Sequence, residues 1–120
     1  MKYMALLYNV EDNSYATPEA MANWWRFEQE LSQSGVKLSG EALMPSMTAT
    51  TVSVRNGETL TTDGPFADTR EQLGGYYILD CADLDQAIAW AARIPIAQSG
   101  HVEVRPVVVF EQDAIGQTAG

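Results

Sequence analysis

Three segments of the chain carry apolar side chains at successive positions, so both faces of a strand built from them would be apolar. They are residues 2–8, 74–80 and 102–110, and each is bounded by polar or turn-forming residues. Side chains alternate between the faces of a strand, so a strand that is apolar on both faces must be covered on both sides. The pattern therefore predicts a sheet with one layer on each face.

Two segments between these strands begin with helix start signals. Thr17 followed by Pro18 predicts an N-cap and a first helical position, and Gly35 predicts the end of the same helix. Asp83, with Gln86 three residues later, predicts the cap of a second helix. Apolar residues then recur at helical spacing and predict two buried stripes: Ala20, Trp24, Phe27 and Leu31 in the first helix, and Leu84, Ala87, Ile88 and Ala91 in the second.

A hairpin is predicted within residues 50–62. Asn56-Gly57 lies between two runs rich in Thr and Val, and this pair is preferred in two-residue type I′ turns. The turn would place Arg55 opposite Glu58. A further strand is predicted at residues 36–40, followed by a loop over residues 40–45.

The predicted order is β-α-β, an inserted hairpin, then β-α-β. This is a ferredoxin-like α+β fold with an antiparallel sheet. Both helices of such a fold lie on one face of the sheet, so the other face would be a large exposed apolar patch. A two-fold homodimer that packs sheet face against sheet face would cover it, and we predict that dimer.

Length and charge limit the remaining possibilities. The 120 residues fit one domain, which we assign to residues 1–112, with a tail at 113–120. Sixteen acidic residues against seven basic ones give a net charge of −9, and no basic stripe argues for nucleic acid or anionic lipid as a partner. No apolar run approaches the roughly 20 residues that span a bilayer. The single cysteine, Cys81, permits no disulfide within the chain and favours the cytoplasm.

The run from Thr62 to Tyr77 contains Asp63-Gly64-Pro65-Phe66 and ends in Gly-Gly-Tyr-Tyr. It closely resembles the signature of the DGPF proteins, a branch of the YCII-related family. The same likeness extends through residues 40–45, 50–55, 90–95 and 102–107. The resemblance implies a dimeric α+β barrel of ferredoxin-like subunits, which agrees with the strands that are apolar on both faces.

The resemblance implies two kinds of function. Members of the wider YCII-related family are suspected enzymes because of a His–Asp pair whose histidine lies on the first helix. The first helix here has no histidine at residues 21–24, so that pair is not carried over. Some relatives occur alongside sigma-factor regulators, which implies a regulatory role as the alternative.

Three residues are candidate catalytic groups. Asp63, before a glycine and a proline, is either a general acid or base in a pocket at the dimer cleft or the residue that opens a turn by bonding nearby backbone amides. Glu41, after Gly40 at a strand exit, is either a base whose pKa is raised by an apolar cleft or an exposed acid of the loop. His101 can shuttle protons or simply lie in an exposed loop.

Three more residues are candidate ligand contacts. Tyr76 can present its hydroxyl to a cavity, and Phe66 either walls a pocket or fills the core. Arg70 either binds a ligand carboxylate or forms a solvated pair with Glu71. Cys81 has no Cys or His partner at metal-ligand spacing, so we expect no metal site, and no cofactor is predicted.

Two functions remain open from the sequence. The first is a cofactor-free enzyme that acts on a small organic molecule by acid/base chemistry of an isomerase or lyase type, in a cleft near the dimer interface. The second is a non-catalytic dimer that binds a small ligand or a transcription-associated regulatory protein. The environment of Asp63 separates them, because a catalytic Asp63 would face a cavity and a structural one would bond its own backbone.

Overall fold

The structure is a computed structural model that describes residues 1–12 and 16–110. Its main elements are β1 (Lys2–Val10), α1 (Pro18–Ser34), β2 (Lys37–Ala42), β3 (Thr50–Arg55), β4 (Glu58–Asp63), β5 (Glu71–Asp80), α2 (Leu84–Arg93) and β6 (His101–Pro106). The predicted tail, and the domain end at residue 112, lie outside the described residues. Within them, no helix is long and apolar enough to cross a membrane.

Four strands form the main sheet in the order β2-β5-β1-β6, and every neighbouring pair is antiparallel. Two helices join the strands, so the fold is the ferredoxin-like α+β arrangement that the element order predicted. A bulge interrupts the β1–β5 ladder, because Leu7 pairs with Gly75 whereas Tyr8 pairs with Leu73. The bulge lies near the end of the sheet that carries the candidate site.

Both helix starts form as predicted. The Thr17 hydroxyl accepts a hydrogen bond from the Ala20 amide at 3.1 Å, and the Asp83 carboxylate accepts one from the Gln86 amide at 2.9 Å. Gly35 ends α1 with a φ of 76°, a left-handed conformation that favours glycine. These elements are therefore fixed by residues close together in the chain.

The core lies between the helices and one face of the sheet. Phe27 of α1 contacts three other rings edge-on, at centroid distances from 5.8 to 6.4 Å. In α2, Ala87 and Ala91 are buried, but Leu84 and Ile88 are about half exposed. The predicted stripe of α2 is wrong at these two positions, because the helix contacts the sheet along the narrow line of its alanines. The buried sheet residues are Tyr3, Ala5, Leu7, Gly75, Tyr77 and Leu79.

The opposite sheet face, which we call the open face, has no cover within the described residues. Met4 and Leu6 of β1 lie beside Ile78 and Tyr76 of β5 there, and all four are partly exposed. The prediction that β1 and β5 are apolar on both faces is therefore confirmed.

The third strand departs from its prediction. The side chains of β6 on the open face are polar: His101, Glu103 and Arg105. The strand also ends at Pro106 rather than at residue 110. The Val107 amide still donates to the Lys2 carbonyl at 2.9 Å, but β1 begins at Lys2, so residues 108–110 have no strand to pair with.

Strands β3 and β4 form a separate two-stranded sheet, which we call the arm. Asn56 and Gly57 have φ angles of 53° and 76°, and Arg55 pairs with Glu58, as the type I′ turn predicted. Every residue of β4 is exposed. Within the described residues the arm therefore lacks a supporting layer, and a lone hairpin is only marginally stable in water.

Two strands are longer in the structure than the sequence predicted. Strand β2 runs to Ala42, so Glu41 lies in the strand and not in a loop after it. Strand β5 begins at Glu71, because Gln72 pairs with Asn9 before the bulge. Polar residues at strand ends are solvated and so escape a search for apolar runs.

Candidate functional site

A cavity of about 630 Å³ opens at one end of the sheet, where β1 and β2 end and β5 begins. Helix α1 forms its other wall. This volume is within the range of pockets that bind small molecules. The lining is mainly apolar and aromatic, and includes Leu7, Met21, Trp24, Trp25, Leu43, Tyr77 and Ile96.

One carboxylate lies in the helical wall of this cavity. Glu28 follows Phe27 on α1 and stands four residues after Trp24, so it falls on the apolar stripe of the helix. The Tyr77 hydroxyl donates a hydrogen bond to Glu28 Oε1, and Lys37 Nζ donates to Oε2 at 3.0 Å. We call these three residues the wall triad. Helix α1 and strands β2 and β5 each supply one member.

Burial raises the pKa of the Tyr77 hydroxyl well above its ordinary value, and the hydrogen bond and charge of Glu28 raise it further. Tyr77 therefore stays protonated across the physiological range. Its single O–H donates to Glu28, and the hydroxyl cannot serve as a base in the cavity.

The loop between β2 and β3 is fastened beside the cavity by Glu11. Glu11 Oε2 accepts a hydrogen bond from the Ser46 amide at 2.6 Å, and Oε1 accepts one from the Ser46 hydroxyl. These two bonds hold the pKa of Glu11 below its usual value. Leu43 and Pro45 of the same loop line the cavity, so Glu11 helps to fix the cavity's shape.

Two of the predicted site residues, Glu41 and Tyr76, line this cavity. They pair with each other across β2 and β5, next to the pair formed by Gly40 and Tyr77. Because side chains alternate along a strand, Glu41 and Tyr76 turn toward the open face while Tyr77 turns toward α1. Glu41 and Tyr76 are therefore adjacent to each other, and they border the cavity where the sheet ends while their side chains lie on the open face.

His101 lies at the same end of the sheet but on the open face, with 79% of its side chain exposed. Its Nδ1 atom lies 2.9 Å from Glu71 Oε1, so the structure forms a His–carboxylate pair. Three strand spacings, about 14 Å, separate the strand positions of His101 and Glu41. The structure does not bring these two candidates together within one chain.

The other three candidates, Asp63, Phe66 and Arg70, lie at the end of the arm and in the loop after it, and all are exposed. Phe66 is 90% exposed, so it does not fill the core. Within the described residues the Asp63 carboxylate makes no hydrogen bond and does not line the cavity. Asp63 pairs with Thr50 and so shares an arm face with Val52.

The wall triad was missed in the sequence, although one of its members had a signal. Glu28 is the charged residue within the stripe of Trp24, Phe27 and Leu31, and a charge on such a stripe indicates a buried polar contact. Lys37 had no signal, because its contact with Glu28 depends on how β2 packs against α1.

The described residues offer little for a metal ion. No three His, Cys, Asp or Glu side chains within residues 1–12 and 16–110 are arranged to hold one. Cys81 is buried beyond the end of β5, and burial raises the pKa of its thiol. A thiol with that environment is a poor nucleophile.

Comparison with known proteins places this chain in a family. The family model of the YCII-related domain matches residues 1–111. The chain belongs to the YCII-related family. This YCII-related chain is also 34% identical over 118 residues to an uncharacterised protein of Rhizobium meliloti (strain 1021), an alignment that covers 92% of this chain and 95% of that protein.

A solved structure shares the fold. It is 5-chloro-2-hydroxyhydroquinone dehydrochlorinase from Burkholderia phenoliruptrix AC1100, in complex with 2,5-dihydroxybenzoquinone. The TM-score is 0.55 at 10% sequence identity, and the match covers 93% of the YCII-related chain and 98% of the dehydrochlorinase chain. At this identity the likeness shows the fold alone.

Proposed function

We propose that this protein is a homodimeric cytoplasmic enzyme that acts on a small organic molecule by acid/base chemistry, without a cofactor, in the cavity between α1 and the sheet. The observation that carries the proposal is the Glu28 carboxylate, held in a mainly apolar wall by Tyr77 and Lys37. A positioned carboxylate beside a neutral hydroxyl donor is the equipment of a proton-transfer site.

Each residue of the wall triad has a role in the proposed proton transfer. Glu28 accepts a proton from an acidic C–H or O–H of the substrate, and the Lys37 ammonium balances its charge before the transfer. As Glu28 takes up the proton, Tyr77 shifts its single O–H hydrogen bond from Glu28 Oε1 to the substrate oxygen on which negative charge develops. Isomerisation and elimination both need these steps. The dehydrochlorinase that shares the fold is an enzyme with a small bound molecule, which supports a small-molecule role here.

The candidate site residues predicted from the sequence have secondary roles in this proposal. Glu41 is a second acid/base group and Tyr76 a ligand contact, because both line the cavity. Four others lie away from the cavity of their own chain and act only if a second copy brings them there: Asp63, His101, Phe66 and Arg70.

The homodimer is supported by two uncovered apolar surfaces. The open face presents Leu6 and Ile78, and the arm presents Val52, Val54 and Leu60. In a two-fold homodimer, both surfaces of one chain could be covered by apolar surfaces of the other chain. Asp63 shares the face of Val52 and Val54, so burial of that face would bring Asp63 to the interface. The unpaired thiol of Cys81 supports a reducing compartment.

Isotope exchange tests for proton transfer with many candidate substrates at once. The protein is incubated in D₂O with a panel of small ketones, lactones and hydroxyquinones, and NMR follows deuterium incorporation at acidic carbons. Exchange of at least one compound above the buffer rate, lost in Glu28→Gln, is expected. Exchange that survives in Glu28→Gln would overturn the role of the carboxylate.

One observation favours the non-catalytic alternative. Both oxygens of Glu28 already accept hydrogen bonds from the protein, and a wall whose polar groups are satisfied can bind a ligand without reacting with it. The fluorescence of Trp24 and Trp25, which line the cavity, reports binding directly. Quenching by panel compounds without any exchange would favour a ligand-binding or regulatory dimer.

A further inference from the structure

We infer that this cavity takes a small organic cation, a protonated amine or quaternary ammonium group on an apolar body, and rejects carboxylates and phosphates. The inference concerns the ligand of the site proposed above and rests on that cavity being the functional one. It depends on three features of the cavity: its charges, its rings and a bound ammonium group that the chain itself supplies.

The charge of the lining is one-sided. All seven Lys and Arg residues and His101 lie in the described part of the chain, and none of these eight lines the cavity. Four acidic residues do line it: Glu11, Asp12, Glu28 and Glu41. Lys37 reaches Glu28 without lining the cavity, so an anionic ligand would leave water for a lining that offers it no cationic side chain, which costs free energy in a partly apolar site.

The rings of the lining favour the opposite charge. Trp24, Trp25 and Tyr77 border the cavity together with Met21 and Leu7. The face of an aromatic ring carries negative partial charge and attracts ammonium groups, most strongly when the ring is a tryptophan. The apolar side chains bury the carbon skeleton of such a ligand. Together they suit a molecule with a cationic end and an apolar body.

Lys37 shows that the helical wall already binds an ammonium group. Its Nζ atom lies 3.0 Å from Glu28 Oε2 and 5.4 Å from the centre of the Tyr77 ring. A carboxylate and an aromatic face thus hold one ammonium from behind the wall. Two tryptophans and a further acidic residue also border the cavity, at Trp24, Trp25 and Glu41, and no Lys, Arg or His side chain lines it there.

Three probes of one shape separate the charges: 3-phenylpropylamine, 3-phenylpropanol and 3-phenylpropionate, titrated by calorimetry at pH 7.5. We expect the amine to bind at least tenfold more tightly than the carboxylate, with the alcohol between them. A carboxylate that binds within threefold of the amine would overturn the inference. Binding of none of the three would also overturn it.

A charge-matched pair of variants locates the effect. Glu28→Gln removes one negative charge and leaves the Lys37 ammonium without its partner, so the preference should move toward the carboxylate by at least tenfold. Glu30→Gln is the control, because Glu30 lies on the same helix and pairs with Arg93 away from this cavity. An unchanged ratio of the amine and carboxylate affinities in folded Glu28→Gln would overturn the inference.

Glu41→Gln provides a second variant that leaves the wall triad intact. It should weaken the amine about fivefold and leave the alcohol unchanged, and an equal loss for both would contradict the charge argument. Isotope exchange decides the proposed function separately. If isotope exchange depends on Glu28 but the carboxylate probe binds most tightly, the inferred cationic ligand is wrong and the proposed proton-transfer function is retained.

Discussion

At the scale of single residues, the helical wall of the cavity depends on how closely β2 approaches Tyr77. Gly40 pairs with Tyr77 across the ladder, and a Cβ atom at this position would lie 2.6 Å from Tyr77 Cδ1 and 3.0 Å from the Tyr76 carbonyl oxygen. The Tyr77 ring can lie flat against β2 only because residue 40 has no side chain. The position of the Tyr77 hydroxyl at Glu28 follows from that contact.

Gly40→Ala should therefore destabilise the fold by about 2 kcal/mol, in the range measured for overpacked cores. Urea unfolding followed by tryptophan fluorescence measures the change. Gly74→Ala is the control, because a Cβ atom at Gly74 would have open space around it. Equal effects of the two substitutions would contradict the close contact with Tyr77.

The raised pKa of Tyr77 predicts how stability depends on pH. The unfolded hydroxyl ionises near pH 10, whereas the folded one stays protonated, so the unfolded chain releases a proton first. The contribution of Tyr77 is complete below pH 10, and the free energy of unfolding should fall as the pH rises above it. Urea unfolding at pH 8 to 11 should show a smaller fall in Tyr77→Phe than in the wild type. Parallel curves would contradict the burial of the hydroxyl.

At the scale of elements, the loop from β2 to β3 is joined to the end of β1 by one acidic side chain. Glu11 binds both the amide and the hydroxyl of Ser46. This contact fixes the mouth of the cavity and the root of the arm together. The arm adds only local bonds, from the Gly64 amide to the Ala49 carbonyl and from the Thr51 hydroxyl to the Gly64 carbonyl, each 2.8 Å long.

Ser46→Ala should loosen this loop without unfolding the domain. We expect faster amide hydrogen exchange over residues 43–49 and unchanged exchange in the central strands. The lowered pKa of Glu11 means that its contribution is present above the unfolded pKa near 4.3 and is lost as the pH falls through the folded value. The wild-type loop should therefore also loosen below about pH 4. Unchanged hydrogen exchange over residues 43–49 in Ser46→Ala would contradict the role of the Glu11–Ser46 contact in fixing the loop.

The elements that sequence reasoning predicted correctly are those set by neighbours in the chain. The caps at Thr17 and Asp83 and the turn at Asn56-Gly57 each depend on residues within a few positions. The end of β6 could not be predicted in this way, because it is set by where β1 begins. The wall triad was equally hidden, since Glu28 and Tyr77 are 49 residues apart and meet only when the helix packs on the sheet.

At the scale of the whole molecule, one chain leaves much apolar surface uncovered. The open face and the arm both expose large apolar side chains, and the residues of α1 at the cavity mouth do the same at Met21 and Trp25. Exposed apolar side chains on several surfaces of the described residues support the proposed homodimer. The candidates that lie outside the cavity, Asp63 among them, would then meet the second chain.

The proposed homodimer should be evident at micromolar concentration in analytical ultracentrifugation. Leu6→Asp, at the centre of the open face, should convert it into a monomer because an unpaired charge cannot be buried between two sheets. Ile88→Asp is the control, because Ile88 lies on the helix side and is half exposed. A stable wild-type monomer would contradict the packing of sheet on sheet.

Proton transfer by Glu28 in the cavity is tested by comparing three forms of the protein. The rate of deuterium incorporation into the best panel compound is measured for the wild type, Glu28→Gln and Glu30→Gln, with melting temperatures recorded for all three. Both substitutions remove one carboxylate and one ion pair from α1. We predict a fall of at least 100-fold in Glu28→Gln and less than twofold in Glu30→Gln. Equal rates in the two folded variants would contradict the claim.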